Sequence, residues 1–148
     1  MPDLSQLLII LPVLLFSLTI HEMAHAVTAD WYGDPTARRL GRISLNPLVH
    51  LDPVGSVLLP LMAFYFGGFI FGWAKPVPVN PKNLQNYRHD FLMIAAAGPA
   101  SNVLLATTAS LLMRVGPAGA AASGGLVSAL FDIGFMVIQL NLLLAVFN

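Results

Sequence analysis

The 148 residues contain no cysteine, which excludes disulfides and thiolate metal ligands and leaves the redox compartment open. Charge is also scarce, at 9% of residues, where a soluble domain carries about a quarter. The formal net charge is +0, so nothing points to a nucleic-acid partner. Glutamate is nearly missing: Glu22 is the only one in the chain. The N-terminus lacks the basic region and small-residue cleavage site of a signal peptide, so its apolar run is expected to stay in the mature protein. No linker, repeat or low-complexity tract divides the sequence.

What is present is hydrophobic: 57% of residues are apolar, with a mean hydropathy of +0.77. Four apolar segments stand out: Leu4 to about Tyr32, where Gly33 supplies a stop, then Val54–Gly72, Phe91–Met113 and Gly125–Phe147. The first is long enough to cross a bilayer at about 1.5 Å per residue. Two polar stretches with turn chemistry separate them. The first, "GDPTARRLGRISLNPLVHLDP" (33–53), holds short β-compatible runs around Arg39–Leu45, and the second, "WAKPVPVNPKNLQNYRHD" (73–90), reads as extended chain at Pro-Val-Pro-Val. The expected fold is an all-α polytopic membrane protein of three or four apolar helices. A small membrane-associated β-hairpin or extended segments accompany them, and 1–148 form one integral-membrane domain.

The first helix ends on "TIHEMAHA". His21 and His25 are four apart, so on a helix their rings share a face and can grip one metal ion. Glu22 lies about a quarter-turn from His21, close enough to take a proton from an attacking water without ligating the metal. That is the zinc-hydrolase division of labour. An ionisable residue inside a spanning segment costs at least about 2.5 kcal/mol on insertion scales, so three together call for a partner or a polar cavity. The competing structural reading has the histidines bonded to other helices and Glu22 protonated in the bundle.

With His21-Glu22-Met23-Ala24-His25 in its first helix, the chain resembles the site-2 protease family of intramembrane zinc metalloproteases, above all its short prokaryotic members. The resemblance extends through "GDPTARRLGRISLNPLVHLDPVGS", "FGWAKPVPVNP", "AAAGPASNVLLA" and "LNLLLAVFN". It implies hydrolysis of membrane-anchored protein substrates in or near their transmembrane segment, with one Zn2+ per chain, in a prokaryotic inner membrane. On that resemblance His21 and His25 are the zinc ligands and Glu22 the catalytic glutamate. Gly98-Pro99-Ala100-Ser101-Asn102 matches the family's Gly-Pro-x-x-Asn helix. Gly98 and Pro99 belong to close helix packing at the site, for which small residues such as Gly98 and Ala95–Ala97 are suited. Asn102 is a candidate for substrate or oxyanion binding, or for helix-to-helix hydrogen bonding. Asn141 and Asn148, seven apart on one face, are candidates of the same kind; for Asn141 interhelical bonding is the preferred reading, and Asn148 matches a family site asparagine.

The family aspartate that completes the zinc site does not occur in these 148 residues, so the chain is expected to be a peptidase core lacking its C-terminal part, weak in zinc binding. His50 and Asp52 are the in-chain alternatives, with Asp30, His89 and Asp90 weaker; a turn role suits Asp52 better. Arg38, Arg39 and Arg42 are expected to face phosphate headgroups. Residues 36–46 and 76–80 are candidates for an exposed strand edge that holds unwound substrate. His21, Gly98 and Asn148 can meet only if both polar stretches share one side of the membrane. Val54–Gly72 is therefore expected to be re-entrant, turning at Pro60 or Gly67-Gly68. Six of the seven basic residues then lie on the cytoplasmic side, toward which the site opens. Other function classes are a metal-binding membrane transporter and a non-catalytic scaffold. The oligomeric state and the substrate's identity are not readable.

Overall fold

The fold starts from a long apolar helix, α1, over Leu4–Trp31. It closes as expected on Gly33, whose φ of 96° lets the chain turn back so that Asp34 N donates to Ala29 O at 2.9 Å. The computed structural model describes residues 4–66, 72–115 and 125–147, with side chains from Leu7 onward. Among the described residues 79% are helical and none forms a strand. The extended alternative to a hairpin is the one realised.

Residues 36–46 do not supply an edge. Thr36–Arg39 coil into a short helix, α2, because the buried Asp34 carboxylate accepts the Thr36 N–H and pulls the chain into a turn. Asx-Pro pairs then punctuate the polar stretches. Asn46, Asp52 and Asn80 each accept a backbone N–H from the turn beyond, at the helical starts Pro47–Val49, Pro53–Leu58 and Pro81–Asn83. Asp52 is thus the turn residue expected of it.

The described part of the second apolar segment is too short to cross. A single turn of wider winding, Pro53–Leu58, runs into α3, Leu59–Tyr65. Together they span about 20 Å at 1.5 Å per residue, short of the roughly 30 Å hydrocarbon core. The two ends of the segment meet: Trp73 N donates to Gly55 O at 3.2 Å, and Ser56 Oγ donates to Trp73 O at 2.7 Å. A Cβ on Gly55 would fall within 3.0 Å of the Trp73 indole. A chain that enters and leaves at one place is re-entrant in form. Pro60 sits in the first turn of α3 and does not reverse the chain; Gly67-Gly68 lie outside the described residues.

Residues 72–80 run extended to the Pro81 turn. Then α4, Tyr87–Val115, and α5, Gly125–Phe147, complete a set of three helices long and apolar enough to cross a membrane. The buried residues of α4 are Asp90, Ile94, Gly98, Asn102 and Ala106, one every four positions. That stripe is the face α4 lays on its neighbours. Leu14 and Leu18 of α1, Ala74 and Leu144 of α5 form one apolar cluster; Ala29, Leu84 and Ile94 form a second. The histidine motif lies on α1 between the residues that build these two clusters.

Candidate active site

Because α1 and α4 run side by side, the His-Glu motif faces the small-residue part of the α4 stripe. A Cβ on Gly98 would fall within 3.0 Å of both Nε2 atoms, of His21 and of His25. The two ring nitrogens therefore converge on one spot, and only glycine leaves that spot open. The rings stand edge to face, centroids 4.6 Å apart. His25 Nδ1 lies 2.7 Å from the Ile94 carbonyl oxygen. A carbonyl can only accept, so Nδ1 carries the proton and Nε2 keeps a lone pair for a metal. Pro99 follows Gly98 inside α4 and brings no N–H of its own, which leaves the Ala95 carbonyl without its helical partner.

Glu22 is buried. Its Oε2 accepts the Val77 N–H at 3.1 Å, so the extended segment is fastened to the carboxylate. Arg42 is close enough to act on Glu22 electrostatically. Asn102 has no exposed surface and lies close enough to His21 to bond its ring, though neither end of its carboxamide nor His21 Nδ1 makes a bond of good geometry. The helix-to-helix contact considered for Asn102 is with His21 of α1.

The other candidates separate. Asn141 is fully buried and donates from Nδ2 to Ser17 Oγ at 2.9 Å and to Val137 O at 2.8 Å. It ties α5 to α1 one turn before His21. Asn148 lies outside the described residues. Among the described residues no group of three His, Cys, Asp or Glu forms a metal site. His50 Nε2 contacts Ser44 O at 2.9 Å, Asp52 caps the Pro53 turn, Asp30 pairs with Arg38, and His89 with Asp90. Among the described residues none of these joins His21 and His25 in a group of three. The headgroup role expected of the arginines also shifts. Arg42 is buried and donates to Val49 O, and Arg38 is engaged by Asp30; only Arg39 is left exposed without such a bond among those resolved.

Sequence reasoning missed how the extended segment is held. Asp34, fully buried, accepts from Thr36 N at 3.1 Å, Asn80 N at 2.6 Å and Asn83 Nδ2 at 2.7 Å. Lys75 N donates to His50 O at 2.8 Å. The segment is thus pinned at 75 and 80, with Glu22 bonded between. Burial pushes the Asp34 carboxyl up, but its donors together outweigh that and hold it below its ordinary 3.8. Burial, partly offset by the Ser44 carbonyl, lowers His50 below 6.5.

Comparison with known proteins adds the lineage. Over 136 residues, 91% of this chain, it is 39% identical to a Bacillus subtilis (strain 168) protein named "Putative zinc metalloprotease YwhC". Over 95 residues it is 35% identical to "Putative zinc metalloprotease Rip2" of Mycolicibacterium smegmatis (strain ATCC 700084 / mc(2)155). These likenesses bear out the resemblance to the site-2 protease family. These matches cover 59% and 34% of the two relatives' own lengths. No protein-family profile and no solved structure matches the chain.

Proposed function

We propose that this chain is the membrane core of a zinc metalloprotease that cuts membrane-anchored proteins in or near their transmembrane segments. The relatives' names support a protease role. The observation that carries the reading is the convergence of the His21 and His25 Nε2 atoms at Gly98, on the same helix as a buried glutamate whose Oε2 is held by the Val77 N–H. His21 and His25 would hold Zn2+, which when bound supplies Lewis-acid polarisation and a lowered water pKa. The Ile94 carbonyl fixes the tautomer of His25 that such binding needs. Glu22 takes the proton of the attacking water and passes it to the leaving amine. The Val77 N–H holds one of its oxygens, and so sets where the other points. Asn102 offers its Nδ2 to the oxygen on which negative charge develops.

The site's side of the membrane follows from three crossings. Arg38, Arg39, Arg42, Lys75, Lys82 and Arg88 lie on the end where α1 finishes and α4 starts; Arg114 lies at the other. By the positive-inside rule that end is cytoplasmic, in a prokaryotic cell membrane.

Transport and scaffolding are the readings to exclude. Glu22→Gln keeps shape and removes the base. Cleavage of a single-span substrate by the zinc-loaded full-length protein is expected to fall by several orders of magnitude, while zinc content is unchanged. Equal cleavage by parent and variant would end the proposal.

A further inference from the structure

Beside the Glu22–Val77 bond the surface opens into a groove of about 510 Å3, lined by Leu40, Arg42, Val49, Lys75, Pro76 and Pro78. That volume lies within the range of ligand clefts. Its walls are apolar, from Leu40, Val49 and the two prolines. Its charges are Arg42 and Lys75, both positive, and no acidic residue lines it. Arg42 is 8% exposed and gives a bond to Val49 O. A guanidinium carries five N–H donors in a planar fork, more than one carbonyl can take. Lys75 is exposed at its side chain while its backbone is fixed on His50. A rigid, desolvated guanidinium with a mobile ammonium over apolar walls selects an anion.

The floor and wall decide which anion. A lipid headgroup meets cations that reach outward, whereas Arg42 is sunk beneath the surface. One wall is extended backbone, Pro76 to Pro78, along which a peptide can lie. Val77, between those prolines, is the residue bonded to Glu22. Whatever fills the groove therefore lies close to the catalytic carboxylate. We propose that the groove seats an acidic side chain of the substrate a few residues from the cut bond, with Arg42 and Lys75 as specificity-determining residues. The identity of the occupant as substrate rests on the protease reading above.

Binding tests this without turnover. The full chain in phosphatidylcholine nanodiscs is titrated with short fluorescein-labelled Ala/Leu peptides carrying Asp, Ala or Lys at the centre. Anisotropy should show the Asp peptide binding about tenfold tighter than the Ala peptide and the Lys peptide weakest. Lys75→Glu, a change at an exposed side chain, should invert the order of Asp and Lys. Equal affinities, or an order that survives Lys75→Glu, would overturn the assignment. So would loss of the Asp preference in phosphatidylglycerol nanodiscs, which would give the groove to headgroup phosphate. Asp preference in a protein that never cleaves would count against the protease reading alone. Cleavage without preference would count against the groove alone.

Discussion

Asn102 is fully buried without a well-formed hydrogen bond at either end of its carboxamide, a desolvation of roughly 1–3 kcal/mol that a loose contact with His21 repays only in part. A residue kept for stability would not be left so. Asn102→Ala is expected to leave the thermal midpoint level or raise it, and to lower the cleavage rate about 10²–10³-fold, the cost of one oxyanion donor. Melting curves and initial rates on the same preparations check both; a lower midpoint with an unchanged rate would make Asn102 a packing residue. His21, Glu22, His25, Gly98 and Asn102 were legible in the sequence because side-chain chemistry and helical spacing name them. Ile94 and Val77 were not, because they act through a carbonyl and an N–H that every residue type carries. Asp34 stood in "GDPT" and read as turn chemistry; its reach to Asn80 and Asn83, 46 and 49 positions on, has no local signal.

The extended element 74–80 has no ladder of its own, so its position depends on separate anchors at His50, Glu22 and Asp34. The Asp34 carboxyl is held below its ordinary value in the folded protein. Its contribution is therefore present above about pH 4 and lost as pH falls through the folded value. Acidification from pH 6 down through the folded value should release the segment and change the fluorescence of Trp73 just before it, reversibly. In Asp34→Asn that pH step should shrink and the segment should be looser at every pH. An identical pH profile in parent and variant would place the anchor elsewhere. The extended character of this element was visible in its prolines. The helical turn at Thr36–Arg39 was not, since β-compatible composition says nothing about an acceptor two residues upstream. The re-entrant form of the second apolar segment was inferred from where the motif residues had to meet. Its hydrophobicity alone, 19 apolar-rich positions, fits a crossing equally well.

At the scale of the whole molecule, three crossings by α1, α4 and α5 would put both polar stretches on one side. The cysteine-free sequence makes this easy to check with single reporters. Cysteines replacing Arg39 and Lys82 should react with a membrane-impermeant maleimide from one face of sealed vesicles, and one replacing Arg114 from the other. Opposite-face labelling of 39 and 82 would require a fourth crossing. A chain with an exposed extended segment in a crowded bilayer also faces its own copies. Pro76 and Pro78 carry no N–H, so at those two positions a neighbouring copy finds carbonyls to donate to but nothing to accept from. Edge-to-edge stacking of such segments would leave half its bonds unmade, and the protein is thereby guarded against assembling through the very stretch that holds its glutamate.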